Sequence, residues 1–212
     1  FEAEREASFF TTGGLAAVHS KARDRNSIWE GLTKKETYGT SGDRILLWFD
    51  LIRENSIFPM GSTASQTQNP VFRVKAVGAF EQKPGCPDYS STNITDEEIE
   101  RICKNECYNP SDKRKNISRI EVIKITPQKS PEESVDDLIF DVWKSFDCKP
   151  SQQGCQFEFT DDEFSKQSRD SIYYVRAIQE ASPVVNAGNL RCSYTEKGEC
   201  IKVNICYGDA RT

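Results

Sequence analysis

Five segments of this sequence carry apolar and polar side chains with a period of two or close to it, and that pattern limits the fold more than any other feature. Residues 71–77 place Phe72, Val74 and Ala76 on one face and Arg73 and Lys75 on the other. Residues 155–160 set Phe157 and Phe159 against Gln156 and Glu158, and residues 200–206 set Ile201, Val203 and Ile205 against Lys202 and Asn204. Residues 117–125 offer Ile120, Val122, Ile123 and Ile125 among charges, and residues 171–178 read Ser-Ile-Tyr-Tyr-Val-Arg-Ala-Ile. In an extended strand successive side chains point to opposite faces, so this period means strands buried on one side. Spaced by loops that contain Pro and Gly, they predict a mostly antiparallel β-sandwich-like domain. One short helix interrupts it. Thr95 followed by Glu98 is a capping box, and Ile99, Ile102 and Cys103 share a face, which predicts a helix over about 96–105. The stretch 127–137 reads as an exposed loop.

The front of the chain has a different character. Residues 14–20 form a short apolar run after two glycines, a strand signal. Asp24 suits a helix N-cap, and Ile28, Trp29 and Leu32 follow at helical spacing, so a helix is expected near 25–36. Residues 37–42 (Thr-Tyr-Gly-Thr-Ser-Gly) carry turn chemistry. Residues 44–51 are short and apolar, and read as a buried strand. The expectation is therefore a β-α-β closing unit of an α/β domain over 1–55, followed by the β-sandwich-like domain over 56–212. Trp29, Trp48 and Trp143 are expected in the core.

Eight cysteines fall in the last two-thirds of the chain: Cys86, Cys103, Cys107, Cys148, Cys155, Cys192, Cys200 and Cys206. An even count, one His and no Cys-x-x-Cys favour disulfides over zinc, and hence a periplasmic or extracellular location. Two local pairs are candidates. Cys148 and Cys155 flank Lys-Pro-Ser-Gln-Gln-Gly, and Cys192 and Cys200 flank Ser-Tyr-Thr-Glu-Lys-Gly-Glu. Spacing alone leaves the connectivity open, and Cys206 could find a partner beyond Thr212. No apolar stretch approaches the ~20 residues of a membrane span. A net charge of −5 argues against nucleic acid or an anionic membrane as partner, and the short run Lys113-Arg114-Lys115 reads as a solvated loop. The chain opens Phe1-Glu2-Ala3-Glu4-Arg5, without an initiator Met or a charged-then-apolar leader. We therefore expect a C-terminal portion whose main partner is the upstream part of its own chain.

Residues 14–51 also carry a resemblance. Their most specific part is Glu36-Thr37-Tyr38-Gly39-Thr40-Ser41-Gly42-Asp43-Arg44-Ile45. The segment resembles the last βαβ unit of the domain-of-unknown-function 3604 family, which looks like a secreted branch of the PHP metallohydrolases, akin to the CehA/McbA hydrolases. Further similar stretches are Ala79 to Pro87, Tyr173 to Glu180, and Leu190 through Asp209. The resemblance implies a metal-dependent hydrolase of a phosphoester or other ester-type bond, with a divalent metal in the full-length protein. The His-x-His and Asp-x-His ligand motifs lie upstream in that family, and neither occurs here. The resemblance thus gives this chain no metal ligand, and an enzyme portion inactive on its own. The alternative is a non-catalytic secreted module that binds a partner or supports its neighbour.

Two places in the sequence carry candidate chemistry. His19 ends a predicted strand, where an α/β barrel places catalytic groups, and a His there could bind a metal or shuttle a proton; the competing reading is a packed structural His. Thr40, Ser41 and Arg44 offer hydroxyls and a guanidinium that suit an anion, which makes Arg44 a second catalytic candidate. The competing reading is a tight turn with Arg44 paired to Asp43 or Asp50. No Gly-rich phosphate loop or Gly-x-Ser-x-Gly elbow is present, and the even cysteine count disfavours the free thiolate that a Cys-His nucleophile needs. The acidic run Thr160-Asp161-Asp162-Glu163 lacks calcium-loop spacing and reads as a solvated turn.

Overall fold

The computed structural model describes residues 13–92, 94–103, 107–167, 169–181, 192–195 and 200–203. Its centre is a pair of antiparallel sheets. One has the order β10-β5-β3-β4, with β3 at Leu46–Arg53, β4 at Ser56–Pro59, β5 at Val71–Val77 and β10 at Cys155–Thr160. The other has the order β11-β8-β9, with β8 at Ile117–Ile125, β9 at Ile139–Asp147 and β11 at Ile172–Gln179. The apolar rows of both sheets supply one core: Leu47, Phe72, Val74, Ala76, Cys155 and Phe159 from the first, Ile117, Ile120 and Val122 from the second. The sheets meet through aromatic rings. Phe72 lies 4.6 Å from Tyr173 between ring centroids, and Phe146 lies 4.9 Å from Phe157. Burying each such ring stabilises the fold by roughly 1.5–3 kcal/mol, so the β-rich sandwich-like architecture follows from the period-two rows.

The alternation holds where one face meets the core. Phe72, Val74 and Ala76 are buried while Arg73 and Lys75 are not, and Phe159 is buried opposite exposed Glu158. The helix expected over 96–105 is α2, Asp96–Cys103. Its capping box forms: Glu98 N–H donates to Thr95 Oγ1 at 3.3 Å, and Thr95 N–H donates to Glu98 Oε2 at 3.1 Å. Two of the antiparallel pairs outside the two main sheets follow the front segment in sequence. They are β6 (Phe80–Gln82) with β7 (Pro110–Arg114), and β12 (Cys192–Tyr194) with β13 (Cys200–Val203). A short helix, α3, spans Phe164–Gln167.

The front segment keeps its expected elements but pairs them differently. β1 (Leu15–Val18) leads to α1 (Arg25–Thr33), whose N-cap is Asp24: Ser27 N–H donates to Asp24 Oδ1 at 2.9 Å. The helix ends before 36 because Lys35 adopts a left-handed φ of 59°. Residues 37–40, read as a turn, form strand β2 (Thr37–Thr40), antiparallel to β1 with Gly39 opposite Ala16. Thr and Tyr favour extended backbone when a partner strand is present. The last expected strand, β3, joins the four-stranded sheet, antiparallel to both β4 and β5. The helix thus joins antiparallel strands, and residue 55 falls in the β3–β4 hairpin, so the chain on both sides of it shares one sheet.

Trp29 corrects a second expectation. It is 70 % exposed, and Leu32 and Ile28 on the same helix are also exposed. Helical spacing marks an apolar stripe, but it does not say that the stripe is covered. Trp143, in contrast, packs against the core.

Among the described residues two disulfides fix the loops. Cys148–Cys155 is one of the pairs expected from local spacing. Cys148 follows β9 and Cys155 opens β10, so the bridge ties the two sheets together. Cys86–Cys107, with a sequence separation of 21, is a pairing that spacing did not single out. The side chains of Cys103, Cys192, Cys200 and Cys206 lie outside the described residues.

Candidate functional site

His19 follows β1, where its backbone N–H donates to Glu36 O at 2.8 Å. Its ring Nε2 lies 2.8 Å from Leu47 O, and the ring sits 5.6 Å from Tyr38 and 5.9 Å from Trp48 between centroids. The imidazole therefore bridges the small β1–β2 sheet to β3. A cavity of about 230 Å³ borders it, lined also by Lys21, Glu30, Lys34 and Glu36. Gly31 is required here: a Cβ at that position would lie 2.4 Å from His19 O.

The 40–44 loop spends its polar groups on several partners. Thr40 Oγ1 accepts from Gly42 N–H at 3.2 Å, and Ser41 is exposed. Asp43 Oδ2 accepts from Lys115 Nζ at 3.0 Å and from Gln179 Nε2 at 2.5 Å. The guanidinium carbon of Arg44 sits 3.8 Å above the Tyr108 ring. A cation over an aromatic face is worth about 0.5–1 kcal/mol at an exposed site. His19 and Arg44 thus have separate partners. The Asp43 carboxylate also places negative charge in the loop proposed for an anion. Asp50, on β3 opposite Arg73, has its carboxyl pushed up by burial, an effect that Arg73 and His19 oppose.

A wider concavity than the one beside His19 lies elsewhere. A cavity of about 730 Å³ opens beside the core, between β3, the 58–66 segment and the start of β11. Its aromatic lining includes Tyr38, Phe49, Phe58, Phe72, Phe164 and Tyr173. Cavities of this size with apolar, aromatic walls are common small-molecule sites. The sequence marked none of these residues as a ligand-binding candidate, because scattered aromatic side chains read as ordinary packing residues.

Close to that cavity lies the most deeply buried charge cluster among the described residues. Lys124 is 2 % exposed and Asp161 fully buried, with Nζ to Oδ2 at 2.5 Å. Tyr173, directly opposite Lys124 across the β8–β11 ladder, donates its hydroxyl to the same Oδ2 at 2.6 Å. Glu163 N–H donates to Oδ1 at 3.1 Å, and Gln167 Oε1 lies 3.4 Å from Nζ. Burial pushes the Asp161 carboxyl up, but the hydrogen bonds from Lys124, Tyr173 and the Glu163 N–H outweigh it and hold it below the ordinary range. Burial drives the Tyr173 phenol strongly upward, and its bond to Asp161 adds to this. The acidic run is thus not a uniformly solvated turn: Asp161 points inward while Asp162 and Glu163 stay exposed. The readable signal was Lys124, which is in phase with buried Ile120 and Val122.

Among the described residues no three His, Cys, Asp or Glu side chains converge as metal donors. No helix among those residues is long and apolar enough to cross a membrane. A family model described as "Protein of unknown function (DUF3604)" matches residues 2–51. No curated protein and no solved structure matches the chain.

Proposed function

We propose that this chain is the C-terminal, non-catalytic portion of an exported PHP-like metal-dependent hydrolase that cleaves a phosphoester or other ester-type bond. The observation that carries this reading is an uncovered apolar face inside the family-matched segment. Leu15, Ile28, Trp29 and Leu32 are exposed, with Trp29 at 70 %, and all lie within residues 2–51. An apolar stripe of this kind is an expected surface for packing against another part of a longer chain. His19, Thr40 and Arg44 are engaged in contacts that hold strands and loops, which suits a supporting role. The two disulfides support an oxidising compartment. In this reading the metal and its hydrolytic chemistry belong to the upstream part of the protein.

The test uses the longest natural form of the protein. Trp29→Glu together with Leu32→Glu should raise its protease sensitivity and lower hydrolysis of phosphodiester or ester substrates at least tenfold. Unchanged activity and protection, or an intact protein that binds no divalent metal, would remove the reading. A second reading, a ligand-binding module, is favoured by the 730 Å³ aromatic cavity. Saturable quenching of intrinsic fluorescence by an aromatic ligand, abolished in Phe49→Asp, would support it; an unsaturable or unchanged signal would not.

A further inference from the structure

We propose that Lys124 and Asp161 condense to an intramolecular amide, a covalent cross-link between the two sheets that forms without any added enzyme. The two residues come from different layers. Lys124 is the penultimate residue of β8, and Asp161 directly follows β10. Their side chains meet at 2.5 Å with side-chain exposures of 3 % and 1 %. Lysine is almost never buried to this degree unless it is paired, and here the partner is Asp161. Desolvating two charges is costly even when they pair, because the Coulomb attraction only partly offsets the lost hydration. Condensation removes both charges. It leaves a neutral amide in the same space, which a dry interior favours over the ion pair.

The surrounding groups are placed for the chemistry. A proton passes from the Lys124 ammonium to Oδ2 over the short contact, giving an amine beside a carboxylic acid. The amine lone pair attacks Cγ of Asp161. Negative charge then develops on Oδ1, which already accepts the Glu163 N–H at 3.1 Å; a preorganised backbone donor of this kind stabilises a tetrahedral oxyanion. The Tyr173 hydroxyl, 2.6 Å from Oδ2, aids departure of that oxygen by donating to it. Oδ2 leaves as water, carrying two of the three protons of the original ammonium. The third stays on the new amide nitrogen, with Gln167 Oε1 nearby as an acceptor. No oxidant, reductant or co-reactant is consumed. Both reacting groups are fixed by the fold, so the step is effectively unimolecular. The Trp143 ring, 5.3 Å from Nζ, and the Tyr173 ring shield the pair from water that would reverse the reaction.

The experiment is intact-mass measurement of the whole natural protein after reduction and alkylation, followed by peptide mapping. The expected mass is lower than the sequence mass by one water, with a branched peptide joining the Lys124 and Asp161 segments. Lys124→Arg and Asp161→Ala should each restore the full mass. Asp161→Asn should still cross-link, now losing ammonia, and give the same final product as the wild type. This variant keeps the test decisive where the other two fail to fold. Tyr173→Phe should slow accumulation of the linked form after refolding. A wild-type protein of full sequence mass that yields a linear peptide containing Lys124 overturns the proposal. So does a water loss that maps to any other pair of residues.

Discussion

Removing the Cys148–Cys155 bridge tests whether the two sheets owe part of their union to a covalent tie. The bridge spans a sequence separation of 7. A cross-link of that length removes about 2.4 kcal/mol of denatured-state chain entropy at 25 °C. Cys155 also packs in the core at 9 % exposure, and shrinking it to Ala adds a packing loss on the order of 1 kcal/mol. The double variant Cys148→Ala/Cys155→Ala should therefore lose about 3 kcal/mol of unfolding free energy. The assay is urea unfolding followed by tryptophan fluorescence, since Trp143 sits against the shared core beside Phe159, 6.2 Å away between ring centroids. The midpoint should fall while the denaturant dependence changes little, because the folded surface is the same. A loss below about 1 kcal/mol would mean that the bridge merely decorates a loop and that the aromatic contacts alone join the sheets.

Three further outcomes follow from local geometry. Gly154 has φ 85°, and a Cβ there would lie 2.1 Å from Ala76 O; Gly154→Ala should cost more than about 2 kcal/mol in thermal unfolding, because backbone rather than a flexible side chain must move. Glu121 is buried between strands, and hydrogen bonds from Arg119 first, with Arg176 adding to them, hold its carboxyl below the ordinary range. A depressed carboxyl adds stability above its unfolded value and loses it as pH falls through the folded one. Glu121→Gln should thus be less stable than wild type at neutral pH, with the gap closing in acid; a gap that widens in acid would refute the assignment. Trp29→Ser should shift the unfolding free energy of these 212 residues by less than about 0.5 kcal/mol, and a loss above 1 kcal/mol would show that Trp29 is packed rather than presented.

What could be read in advance depended on whether one residue's surroundings were set by its neighbours in sequence. β5 and β10 were legible because a single covered face imposes strict alternation on Phe72, Val74, Ala76 and Phe159. β2 was not: Thr37, Gly39 and Thr40 look like a turn until β1 supplies the pairing partner. The Cys86–Cys107 bridge was hidden for the same reason. The β6–β7 pairing brings Gln82 opposite Pro110 and so draws the two cysteines together across 21 positions. The candidate site divides along this line as well. His19 and Arg44 were found as unusual residue types, but their ties to Leu47 O and to the Tyr108 ring come from contacts distant in sequence. Lys124 carried the opposite kind of signal. Its charge hid it among Arg119 and Glu121, whereas its phase, two and four residues beyond Val122 and Ile120, placed it in the core. A charged residue in phase with a buried apolar row needs a buried counter-group. Here that group is Asp161, which an acidic run at the end of β10 disguised as solvated.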